Sequence, residues 1–184
     1  MSNKKQDIEF DFFVSIASLI RKDIEKHDKA WDDSPLEWIK NLPAGAKGKL
    51  GKQLVASWCA AKGLLIDSSS DPEADIVFNR HRVEIKFSTL WESGIYKFQQ
   101  IRDQDYEYIV CLGISPFAAH CWVISKEILR KNVIGHTPQH TGARGTETFW
   151  FSVNPNNPPE WLSDCGGTLE EAFVVLQKLS PRRK

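Results

Sequence analysis

The sequence predicts an α/β fold built on a central mixed sheet of about five strands flanked by helices. Three observations carry that expectation. Residues 76–78 and 83–87 alternate apolar with polar side chains around a polar break. Residues 108–114 and 119–124 are short apolar runs divided by Ser115-Pro116, and helical segments with capping residues stand on either side of the runs.

Taken in order, Ile8, Phe12, Ile16, Leu19 and Ile20 recur at near-helical spacing, which predicts an amphipathic helix over residues 7–25. Ser34-Pro35-Leu36-Glu37 reads as a capping box with proline at the first helical position, so a short second helix is expected there. Leu64-Leu65-Ile66, after Gly63, reads as a first strand. Asn79, Arg80 and His81 break the alternation between two half-buried strands, which predicts a tight antiparallel turn. Residues 108–114 and 119–124 supply the next two strands. Ser125 then caps a helix to about Asn132, Phe149-Trp150-Phe151 forms a strand with core aromatics, and Thr168-Leu169-Glu170-Glu171 caps a last helix to Leu179.

A chain of 184 residues, 41% hydrophobic and 26% charged, suits one globular core, so a single domain is expected. No apolar run reaches membrane-spanning length and residues 1–7 lack the apolar stretch of a signal peptide, which points to a cytoplasmic protein with no membrane partner. The four cysteines, at positions 59, 111, 121 and 165, are irregularly spaced in mostly apolar segments and read as free core thiols. With 24 basic and 24 acidic residues the net charge is zero, so affinity for nucleic acid must come from the placement of charge. Lys47, Lys49 and Lys52 cluster at one helix start and are expected to contact phosphate, Arg80 and Arg82 flank the hairpin turn, and Arg182-Arg183-Lys184 end the chain.

Chemistry concentrates at the hairpin. A turn centred on residues 79–81 sets Asp75 opposite Glu84 or Lys86, and the same register puts Ile76 and Phe78 beside Val83 and Ile85, segregating apolar from charged side chains. Two carboxylates a few ångströms apart repel unless a cation lies between them. Magnesium suits such a pair, because it takes carboxylate oxygens, keeps several waters and accepts phosphate oxygens as further ligands. A neighbouring lysine can orient the attacking water and stabilise the charge that builds on phosphorus. These residues predict a metal-dependent phosphodiesterase site, with a surface hairpin carrying an exposed Glu84/Lys86 pair as the other reading.

Asp75, eight intervening residues and then Glu84-Ile85-Lys86 resemble the signature of the PD-(D/E)xK, or restriction-endonuclease-like, nuclease superfamily. The resemblance covers roughly residues 46–125. Residues 47–63 resemble the helix that precedes this hairpin in many members, with Gly63 as its C-terminal cap. Residues 96–107 followed by 108–114 are similar to the helix and buried fourth strand of the family core. Where members commonly carry a glutamate near position 53 this chain has Gln53, one anionic ligand fewer. The proline-aspartate dipeptide is also altered: in Asp71-Pro72-Glu73-Ala74-Asp75 an alanine precedes the expected ligand, and Asp71 and Glu73 read as turn residues.

The resemblance implies one restriction-endonuclease-like nuclease domain, with a helical part over residues 1–45, a core over 46–133, and a recognition loop with a C-terminal strand and helix over 134–184. It implies an endonuclease that uses Mg2+ to hydrolyse double-stranded DNA, site-specific in the manner of type II restriction enzymes. Asp75 and Glu84 would bind the metal, Lys86 would be catalytic, and Gln53 would position or weakly ligate. Cutting both strands of a duplex usually pairs two copies about a two-fold axis, so a homodimer is expected. The rivals are a repair or junction-resolving nuclease of the same fold and a binding module that has lost cleavage.

Residues 135–148 form a long polar segment between regular elements, where function or disorder is common. Gln139, His140 and Arg144 are residue types that hydrogen-bond base edges and phosphates, so a DNA-recognition loop is expected there, with a mobile surface loop as the alternative. His136 and His140 are four apart, but Pro138 and the glycines deny them a helix and no third ligand is near, so no zinc site is expected. Trp91 is a candidate for base stacking or for burial.

Overall fold

The structure is a computed structural model that describes residues 8–24, 28–69, 73–140 and 147–179. In chain order the elements are α1 (Ile8–Ile24), α2 (Glu37–Lys40), α3 (Ala44–Ala61), β1 (Ile66–Ser68), β2 (Ile76–Phe78), β3 (His81–Thr89), β4 (Tyr96–Ile101), β5 (Tyr108–Ser115) and β6 (Ala118–Ser125). They continue with α4 (Lys126–Asn132), β7 (Pro138–His140), β8 (Thr148–Val153), β9 (Gly166–Thr168) and α5 (Leu169–Lys178).

A central mixed sheet runs in the order β1-β2-β3-β5-β6-β9, six strands rather than about five, with only the β3 and β5 pair parallel. The expected α/β class with flanking helices therefore holds. Strand β5 lies between β3 and β6 with both faces covered, which is why it reads as a continuous apolar run. Its odd and even positions serve two different cores. Val110, Leu112 and Ile114 join Val83, Ile85 and Val123 under Val55 and Cys59 of α3 and Leu176 of α5. Ile109 and Cys111 join Trp122 and Ile124 against the opposite layer.

That opposite layer corrects the expectation of a helix over residues 96–107. Residues 96–101 form β4, which pairs with β8, itself paired with β7, in a second, three-stranded sheet. Tyr96 and Phe98 alternate inward at period two, and an irregularity at Gln100, whose φ is +55°, resets the phase so that Ile101 also points inward. The displaced phase imitates helical spacing in the sequence. Gly113 on β5 lets the two sheets close, since a Cβ there would lie 2.8 Å from three ring carbons of Tyr96.

Local signals at the termini of elements are mostly kept. Ser125 accepts from Ile128 N at the start of α4, Thr168 and Glu171 complete a capping box on α5, and Gly63, at φ +78°, follows α3 in the left-handed conformation. Ser34 departs from its expected role. Helix α2 starts later with Leu36 as its N-cap, while Ser34 Oγ accepts from Leu36 N and donates to Pro116 O of the β5–β6 turn. The first strand also starts later than Leu64, leaving Leu65 exposed. Among the described residues the four cysteines are free and buried, as expected, and burial pushes the Cys59 and Cys165 thiols up to about 11. No described helix is long and apolar enough to cross a membrane.

Candidate active site

The β2–β3 hairpin closes through two residues in the left-handed region, Asn79 at φ +47° and Arg80 at φ +69°. This is the tight turn whose twist matches the flanking strands, and it fixes Phe78 against His81 and Ile76 against Val83. Continuing that register brings Asp75 opposite Glu84, the first of the two expected pairings. The regular ladder stops at Ile76, however, and Asp75 N donates to Val83 O, one residue short of that pairing.

The parallel pairing of Glu84 with Ile109 and Lys86 with Cys111 puts both side chains on the face that carries the second sheet. There a groove of about 430 Å3 opens between β3, the first half of α3 and β4, lined among others by Lys47, Lys52, Glu84, Lys86, Trp91, Lys97, Gln99 and Gln100. Inside it Lys86 Nζ donates to Glu84 Oε1 at 2.8 Å, with the two side chains only 18% and 14% exposed. Asp75 is anchored at the strand edge: its Oδ2 accepts from Ile85 N at 2.8 Å and its Oδ1 pairs with Lys52 Nζ. The groove thus holds the shielded Glu84 carboxylate with Lys86 and Lys52, and Lys52 links it to the shielded carboxylate of Asp75. Burial, and then the charge of Lys40, hold the Lys47 ammonium below the ordinary lysine value of 10.5.

Strand β4 completes the wall. Ser88, buried on β3, accepts from Lys97 N at 3.0 Å and so stitches the second sheet to the first. Lys97 Nζ then lies 4.1 Å from the ring centre of Trp91 and 5.7 Å from that of Trp150, two cation–π contacts at the mouth of the groove. Gln99 and Gln100 are exposed beside it, and Gln100 N donates to Gln139 Oε1 at 2.8 Å. Lys97, Gln99 and Gln100 are absent from the sequence expectations because that segment was expected to be helical. The alternation of Lys97 and Gln99 with Tyr96 and Phe98 was the available signal.

Among the expected site residues, Glu84, Lys86, Lys47 and Lys52 line the groove, and Asp75, outside that lining, is tied to it through Lys52 and Ile85 N. Gln53 does not: it is exposed on α3 and outside the groove lining, because α3 turns Gly51 and Val55 toward the sheet and Lys52 toward Asp75. Lys49 likewise projects away from the groove. Arg82 forms an ion-pair network with Asp105 and Glu107 rather than facing the groove. The segment over 135–148 is partly a strand, β7, which places Gln139 beside Gln100. Arg144 and the C-terminal basic run lie outside the described residues, as does Asp71. His140 ends β7. Trp91 is 46% exposed at the groove mouth, so of its two expected roles burial is ruled out.

Magnesium fits the donors present. Asp75 and Glu84 supply the one or two carboxylates that ion commonly takes from protein, leaving its other positions to water and phosphate. No cluster of three or more histidine, cysteine, aspartate or glutamate side chains that could hold a metal occurs among the described residues.

Neither a protein-family model nor a curated protein matches this chain. Among solved structures, that of a bacterial homing endonuclease is similar over 74% of this chain and 93% of its own, at 15% identity and a TM-score of 0.48. A likeness of that degree says nothing of the reaction.

Proposed function

We propose that this chain is a magnesium-dependent endonuclease of PD-(D/E)xK type acting on double-stranded DNA. The observation that carries the reading is the groove that holds Glu84, Lys86, Lys47, Lys52 and Lys97, with Asp75 tied to it through Lys52 and the backbone between Glu84 and Lys86. Asp75 and Glu84 would hold the ion, which when bound polarises a phosphate oxygen and lowers the pKa of water. Lys52 and Lys86 offset the carboxylate charge in the meantime. Lys86 then orients the attacking water and stabilises the charge on phosphorus as the new P–O bond forms and the opposite one breaks. Lys47 and Lys97 grip the flanking backbone, while Gln99, Gln100 and Gln139 stand where base edges pass, in keeping with restriction-type site specificity. Two copies acting on the two strands, in the cytoplasm where DNA is met, complete the reading.

A second reading, a binding module without cleavage, is favoured by one observation: both carboxylates are already engaged by lysines. Plasmid and phage DNA incubated with wild type and Lys86→Ala, each with magnesium and with chelator, separates the two. The nuclease reading expects magnesium-dependent fragments, reduced by about 100-fold or more in the variant. Uncut DNA that binds equally well with magnesium and with chelator would overturn it.

A further inference from the structure

A second cavity, of about 600 Å3, opens beside the groove, walled by Lys40 of α2, Lys47 of α3, Thr89 at the end of β3, and Trp91, Glu92 and Ser93 of the turn that follows. Lys47, Thr89 and Trp91 line both spaces, so the cavity is a side chamber of the groove that holds Glu84 and Lys86. Its size is that of a small-molecule site. Trp91 is held in the wall by its backbone, whose N donates to Ile95 O and whose O accepts from Gly94 N, each at 2.9 Å. Lys40 Nζ donates to the neighbouring Leu90 O at 2.9 Å and pairs with Asp28 at 3.1 Å. No described carboxylate pairs with Lys47, on which burial and repulsion from Lys40 act instead. The chamber therefore joins an uncompensated ammonium to an aromatic ring that is 46% exposed. Lys97, whose ammonium lies over the same ring, lines only the groove, which leaves the chamber's share of the ring to another flat group.

We infer that the chamber takes one unpaired nucleotide of the substrate strand, its base lodged against Trp91 and its phosphate on Lys47. This rests on the nuclease reading above and names the class of DNA that the site prefers. Three features select a nucleotide. An anion joined to a flat ring is what a free ammonium beside an exposed indole recognises, and stacking of this kind accepts any base. Glu92 turns the phosphate away from its own part of the wall and can accept from a base amino group, while the Thr89 and Ser93 hydroxyls can serve either end of the nucleotide. The chamber also opens off the groove, so its occupant belongs to the strand that passes Glu84 and Lys86. A base within a duplex must first leave its stack and its partner, and that step costs least where the nucleotide is already unpaired. DNA with a bulged nucleotide beside the cut is therefore preferred over a continuous duplex.

Labelled duplexes of mixed sequence, either fully paired or carrying a single-nucleotide bulge, are titrated with the full chain in chelator at fixed salt. Wild type is expected to hold the bulged duplex tighter by about 5-fold or more, the smallest effect of one stacked base. Trp91→Phe keeps that preference and Trp91→Ala brings the ratio of affinities to about one. Equal affinity of wild type for the two duplexes, binding of neither, or a preference that survives Trp91→Ala would each overturn the inference. So would displacement of the bulged duplex by micromolar deoxyadenosine monophosphate, which would make the chamber a site for a free nucleotide. Cleavage is read separately with magnesium. Bulged DNA that is preferred but left uncut sinks the nuclease reading alone, whereas DNA that is cut with no preference for the bulge sinks this inference alone.

Discussion

Lys52 and Gln53 are chain neighbours with opposite fates, and the difference is one helical step. Lys52 reaches Asp75 from α3, whereas Gln53, about 100° further round, faces solvent. Gln53→Ala is therefore expected to change the cleavage rate by less than about threefold, as for surface positions generally, while Lys52→Ala lowers it. Rates measured on one plasmid substrate check both. His120 makes a second prediction at this scale. Its Nδ1 lies 2.9 Å from the Tyr96 hydroxyl, and burial holds its pKa below the ordinary 6.5. The unfolded chain then binds the proton more readily than the folded one, so stability is full above pH 6.5 and is lost as pH falls below it. Thermal midpoints across pH 5 to 7.5 should show that slope, flattened in His120→Gln.

Element by element, the strands with clean alternation were legible and those with a bulge were not. Residues 76–78 pair with 81–83 as the alternation requires, because a shift by one would take Ile76 and Phe78 off the face that carries Val83. Strand β4 was hidden by the irregularity at Gln100, and β9, three residues with two glycines, has no side-chain period to read. The junction of the two sheets depends on a missing side chain. Gly113→Ala is expected to cost about 1–3 kcal/mol of stability, since Tyr96 must give way in a packed core. Denaturant unfolding measures it, and cleavage should fall as well if β4 shifts with the ring. Gly51 on α3 plays the same part against Phe87.

Across the whole molecule the net charge is zero, so under the proposed function DNA affinity would rest on the few lysines gathered at the groove. Lys47→Ala and Lys97→Ala should each weaken DNA binding across all sequences and lower the slope of log affinity against log salt by about one unit, whereas Lys49→Ala should change neither. Binding titrations in chelator from low to moderate salt check this. By itself the sequence determined the α/β class and the hairpin register, because each follows from local periodicity and the segregation of charge from apolar surface, and it singled out Asp75, Glu84 and Lys86 as the candidate site. Only the tertiary structure decided that Lys97, Gln99 and Gln100 share the groove, that Gln53 and Arg82 do not, and that the second core belongs to a three-stranded sheet. Those facts depend on how one layer packs across another, and contacts between residues distant in sequence leave no short-range period to read.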